Sequence, residues 1–141
     1  MVILVDLNII LDFLLTREPF YQASATVMEI CAKGNVKGYL AFHSISNLWY
    51  ILRKVPEDRR RACLAELCDC LQVTGASHQE VVKAIKMEHF KDFEDCLQDR
   101  CAKSIDADYI ITRNIDDFVN SDVPALLPEK FLEYMELYKQ N

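Results

Sequence analysis

Chain breakers are scarce in this sequence: three glycines and four prolines in 141 residues. That scarcity excludes a low-complexity or disordered chain and predicts an ordered succession of elements. No apolar run reaches the roughly 15–20 residues of a membrane span, and Met1 leads directly into Val-Ile-Leu-Val-Asp with no basic leader. Six cysteines are present, but there is no CxxC pair and no Cys/His spacing for zinc; Cys68-Asp-Cys70 is a lone CxC. The thiols read as small buried hydrophobes in a reduced, cytoplasmic setting. Positive charge is also in deficit, with 16 Lys and Arg against 22 Asp and Glu, a net charge of -6. Bulk electrostatics therefore do not draw this chain to a polyanion; metal ions or a local basic patch must supply the attraction.

What is abundant is apolar surface, 51% of residues, in a length that suits one domain over residues 1–141. Val2 to Asp6 is a β-branched run ended by an acid, a buried strand of a parallel sheet. Asn8 is placed to cap a short helix over 9–15, which Pro19 excludes from continuing. Helical spacing marks 21–33, closed by Gly34, followed by a strand over 38–42. Ser44 is expected to cap a helix carrying Asn47, Leu48 and Trp49. A helix over 57–71 presents Arg59, Arg60 and Arg61 to solvent, and Ser77 with Glu80 forms a capping box. Short strands at 71–74, 107–112 and 125–127, with helices over 93–105 and 128–138, complete the pattern. Strands alternate with helices throughout, which predicts an α/β fold: a mostly parallel sheet with helices on both faces.

The chemistry concentrates between Asp92 and Phe118. Asp92, Asp95 and Asp99 share one helical face, and Asp92 is a plausible N-cap with Asp95 in the first turn. The helix is expected to bury Phe93, Cys96, Leu97, Cys101 and Ala102. Thr112, Arg113, Asn114, Asp116 and Asp117 cluster where the next strand ends. Two readings of these acids compete. They cap and solvate a helix, or they hold a hard cation through oxygen ligands on rigid elements. In a parallel sheet, ligands bind outside the carboxyl ends of the strands. That rule brings Asp6, Asn47, Asp92, Asp95 and Asn114 to one rim. Like charges gathered there call for a counter-cation.

Three blocks carry a resemblance to a known family: VILVDLNIILDFLLTREPF at the start, SISNLWYILRK in the middle, and DFEDCLQ…ADYIITRNIDDF near the end. In this order and spacing they resemble the PIN-domain family, including its VapC-type toxins. The resemblance implies a three-layer α/β/α fold and a metal-dependent nuclease, most often acting on RNA, with Mg²⁺ or Mn²⁺ at the carboxyl edge of the sheet. Carried over, Asp6 and Asp95 match catalytic, metal-binding acids, and Asp92 is an extra acid beside them. Asn8, Asn114 and Asp117 match positions that order the site or ligate. The sequence departs from the pattern at Asn47, where many members carry Glu; a neutral amide is a poorer ligand for a hard dication.

The implied chemistry is phosphodiester hydrolysis assisted by one or two cations. Arg113 has two readings, a contact to a substrate phosphate or a salt bridge to a neighbouring Asp. Asp12 reads as a group that orders the first helix, and Thr112 as a hydrogen-bonding strand-end residue. Phe42, Trp49 and Tyr50 read as core. The expected partners are an RNA substrate, an antitoxin protein and a second copy of the chain, with no membrane. A rival reading is a catalytically weak module that binds an antitoxin or itself through its early apolar helices. A phosphotransfer enzyme on a similar sheet would need DxDx[TV] after the first strand; this chain has Asp-Leu-Asn-Ile-Ile.

Overall fold

The computed structural model describes residues 1–141. In chain order the elements are β1 (Val2–Val5), α1 (Leu7–Leu14), α2 (Tyr21–Ala32), β2 (Lys37–Ala41), α3 (Phe42–Ile51), α4 (Glu57–Cys70) and β3 (Gln72–Thr74). There follow α5 (His78–Lys86), α6 (Phe93–Ser104), β4 (Tyr109–Ile111), a 3₁₀ turn (Ile115–Phe118), β5 (Ala125–Leu126) and α7 (Pro128–Gln140). The strands form one sheet in the order β3-β2-β1-β4-β5, with every pairing parallel. The expected architecture is present. No helix is long and apolar enough to cross a membrane.

The sheet is covered on both faces, so its central strands have no polar side. Side chains alternate across a strand. Ile3 and Val5 of β1, with Ile111 of β4, join a core built against α1, α2, α4 and α7. Leu4 and Ile110 point the other way, into a smaller core with Cys101 and Ala102 of α6. This explains why VILV reads as an unbroken apolar run rather than an alternating one.

Several local expectations are corrected. Helix α1 begins two residues early because Asp6, not Asn8, is its N-cap: the Asp6 Oδ1 accepts from the Leu7 amide at 2.8 Å. The start of α3 has no side-chain cap. Ser44 is instead buried within it and accepts from Gln98 Nε2 at 3.1 Å, a partner 54 residues away. Phe93 is exposed, as are Phe42 and Tyr50, which therefore are not core. Arg60 is half-buried over the Trp49 ring at 4.0 Å, while Arg59 and Arg61 are exposed.

One glycine is required by packing. A Cβ on Gly38 of β2 would lie 2.5 Å from Cys31 Sγ and 2.6 Å from Leu71 Cδ2. Gly38→Ala is therefore expected to destabilise the fold by about 1–3 kcal/mol in urea denaturation. Cys31→Ala in the same chain should recover part of that loss; no recovery would place the strain elsewhere.

Candidate functional site

Strand order decides where a site can form. From β1 the chain builds outward through β2 and β3, then crosses to the other side of β1 to lay down β4 and β5. The carboxyl ends of β1 and β4 are thus neighbours at the point where the winding reverses. A crevice opens there because the following connections leave in opposite directions. The Asp6 amide donates to Ile111 O at 2.9 Å, which locks the two strand ends together.

The crevice holds a cavity of about 220 Å³ lined by Asp6, Leu7, Asn8, Leu11, Asp92, Glu94, Asp95, Asn114 and Asp117. Five of these nine are acids and none is Lys or Arg. Asp6 comes from the end of β1, the Asp92–Asp95 group from the start of α6, and Asn114 and Asp117 from the segment after β4. A roomier hollow of about 480 Å³ around Ile115 to Ala125 has only Asp116 and Asp122 as acids and no such convergence.

Asp6 is held firmly. It is 6% exposed, and its Oδ2 accepts from the Thr112 hydroxyl at 2.8 Å. Thr112 in turn accepts from the Asn114 amide at 3.1 Å and lies 3.4 Å from Asn8 Nδ2. Asn8 Oδ1 accepts from the Arg113 amide at 3.4 Å. Asn8 and Thr112 thus tie the β1 end to the β4 end around the buried carboxylate. Asp92 caps α6, its Oδ1 accepting from the Glu94 amide at 2.8 Å. Asn47 Nδ2 donates to Glu94 Oε1 at 3.1 Å.

The electrostatics are those of carboxylates packed together with no basic side chain among the lining residues. Burial pushes Asp6 up to about 6, opposed in part by the Thr112 and Leu7 hydrogen bonds and aided by Glu94 and Asp117. Burial pushes Asp95 up to about 7, helped by the charges of Asp6, Asp92, Asp117 and Glu94. Burial and Asp92 also raise Glu94, against the Asn47 bond. No three of these groups are drawn close enough to enclose an ion unaided. Mg²⁺ needs no such cage, since it is usually held by one or two carboxylates and keeps several waters. The donor set of carboxylate and amide oxygens fits a hard dication.

A raised acid holds its proton longer in the native state than in the unfolded chain, so ionising it removes native stability. That loss begins as pH rises past about 4 and is complete above the native value of about 7 for Asp95. Asp95→Asn is therefore expected to leave the metal-free protein more stable by about 1–2 kcal/mol at pH 8, a figure reduced because water screens a half-buried carboxylate. The gap should close near pH 4. Urea denaturation of both proteins at the two pH values checks this, and a variant less stable at pH 8 would sink it.

The other expected residues divide. Asn8, Asp92, Asp95, Asn114 and Asp117 line the cavity with Asp6; Asn47 reaches it through Glu94. Asp99 does not. It is fully buried, its Oδ1 accepting from the Ser121 hydroxyl and the Asp122 and Val123 amides, its Oδ2 meeting Arg100 at 2.6 Å. Arg113 is paired through Nε with Asp12 Oδ2 at 2.6 Å and stacks over Phe20 at 4.0 Å, so one edge of its guanidinium is committed inside the fold. Asp12 itself is fully buried. Sequence reasoning overlooked Glu94. Its signal was present as an acid in the first turn of α6, but an argument from a single helix face favours Asp99 instead. Around a helix N-terminus the first-turn side chains fan outward, so Glu94 reaches the same cavity as Asp95.

A parallel sheet with an acid-lined crevice at its switch point defines a class of α/β proteins built to bind at the carboxyl edge. The chain belongs to the PIN-domain family: the family model described as a PIN domain matches residues 2–116. Comparison with curated proteins finds no match. Among solved structures, the chain is similar to VapBC-1 from nontypeable Haemophilus influenzae, at 18% identity and a TM-score of 0.68, covering 92% of this chain and 99% of that one. It is also similar to VapBC2 from Rickettsia felis, solved bound to a DNA fragment from its promoter, at 16% identity and a TM-score of 0.65, over 90% and 98% of the two chains. FitAcB from Neisseria gonorrhoeae gives 16% identity and a TM-score of 0.60, over 90% and 98%.

Proposed function

We propose that this protein is a divalent-metal-dependent endoribonuclease, using Mg²⁺ or Mn²⁺ at the crevice between β1 and β4. The observation that carries the reading is the gathering of Asp6, Asp92, Glu94, Asp95 and Asp117 in one cavity with no basic side chain among them. A fold does not assemble like charges at the end of its central strand without something for them to bind. When bound, the cation supplies positive charge and an acidified water for attack at phosphorus. Asp6 and Asp95 are the principal ligands. Thr112 and the Leu7 amide fix Asp6 in one orientation, which spares the site reorganisation on loading. Asn8 and Asn114 hold the loop ends and offer neutral oxygens. Asp117 adds negative charge from the far wall.

The Nε/Nη2 edge of Arg113 is bound to Asp12, so any contact to a phosphate falls to its Nη1 side. Its part is to order α1 beside the crevice. The exposed Arg59, Arg61, Lys83, Lys86 and Lys91 supply scattered positive charge for an RNA backbone. The cation therefore does most of the work of attracting an anionic substrate to an acidic protein. The similarity to VapBC structures supports the further reading of this chain as the nuclease of a toxin–antitoxin pair, held by an antitoxin protein; homodimer formation is part of the same proposal and is tested by the mass of the purified protein in solution. Thermal melting with Mn²⁺ tests the metal reading. Millimolar Mn²⁺ should raise the melting temperature of wild type and leave Asp6→Asn unchanged. No shift in either protein would favour a binding module without metal chemistry.

A further inference from the structure

Asn47 and Glu94 lie on different helices, α3 and α6, and meet at the rim of the acidic cavity. The Asn47 amide donates to Glu94 Oε1 at 3.1 Å, the one hydrogen bond that the Glu94 side chain makes. Both residues are half-buried. A glutamate in the first turn of a helix has open solvent within reach and ordinarily extends into it. Here it is turned inward, toward Asp6 and Asp95, whose charges oppose it.

The kind of partner is informative. Elsewhere in this fold buried acids are neutralised by arginine: Asp12 by Arg113 and Asp99 by Arg100. Glu94 is held by a neutral amide instead. An amide N–H fixes one carboxylate oxygen and its direction without cancelling the charge. The full negative charge and the second oxygen stay available to a ligand.

We propose that Glu94 is a third carboxylate serving the cation of this cavity, through the waters the ion retains rather than as part of a closed cage, and that Asn47 is the positioning residue that aims it. The proposal rests on the reading of the cavity as a divalent-cation site. It makes α3 part of the site through a hydrogen bond rather than through a ligand of its own.

The test is Mn²⁺ binding to the purified metal-free protein by calorimetry, with melting temperature recorded in parallel. Glu94→Gln should weaken Mn²⁺ binding about tenfold, and Asn47→Leu by a similar or smaller factor, in the range of partners that orient ligands. The double variant should bind no more weakly than Glu94→Gln alone, because Asn47 acts only through Glu94. The metal-free melting temperature of Glu94→Gln should not fall, since the change removes like-charge repulsion. Wild-type affinity in Glu94→Gln, with affinity lost in Asp6→Asn and Asp95→Asn, overturns this proposal and leaves the site standing. Wild-type affinity in all three overturns the site and the proposal together. Additive losses in the double variant remove the positioning role of Asn47.

Discussion

Asp6→Asn combined with Asp95→Asn is expected to reduce cleavage of single-stranded RNA by about a thousandfold or more, to the level seen in EDTA, in keeping with several kcal/mol of metal-assisted stabilisation. Both substitutions are near-isosteric, so the loss should come without loss of fold. Burial first, and neighbouring acids second, raise Asp6 to about 6 and Asp95 to about 7. Removing the two charges should make the metal-free protein more stable while abolishing its metal response. Activity and stability moving in opposite directions is the signature of a site maintained for ligand rather than for folding. The measurement is product formation from a labelled single strand with Mg²⁺ or Mn²⁺, beside a melting curve. Cleavage by the double variant at wild-type specific activity would locate the chemistry elsewhere.

Asp99→Ala should be the most damaging change on α6 for the fold, costing about 3–5 kcal/mol, the range for removing one member of a buried ion pair. The carboxylate takes three donors from the Ser121–Val123 segment and faces Arg100, which is 4% exposed. Arg100 also pairs with Glu80 of α5 at 3.2 Å and with Asp122. Without Asp99, a buried guanidinium loses its one fully buried anion and the Asp122 amide loses its acceptor. Total stability of a domain is about 5–15 kcal/mol, so this is a large share. Guanidinium unfolding of Asp99→Ala against Asp92→Ala, where only an exposed cap costing about 1 kcal/mol is lost, makes the comparison on one helix. Equal losses in the two variants would contradict it.

These three acids show where sequence reasoning holds and where it stops. Asp92, Asp95 and Asp99 share a helical face by spacing, and α6 forms within a residue of its expected end. Yet Asp92 caps, Asp95 lines the cavity and Asp99 braces a loop. A helical face extends over several turns, and the neighbours it meets change along its length. Only the first turn of α6 reaches the sheet edge. The same limit hid Glu94 and misplaced the cap of α1, because both depend on which element stands opposite.

Local pattern was enough for the alternation of strands and helices, the continuous apolar β1, and the acid at its end. These follow from side-chain periodicity and chain-breaker positions, which act over a few residues. The pairing of β1 with β4 is different in kind. It joins Asp6 to Thr112 across 106 residues, sends Arg113 to Asp12 instead of the crevice, and turns Glu94 toward Asn47. Such partners are chosen by the packing of two cores against one sheet, and no short stretch of the chain contains that information.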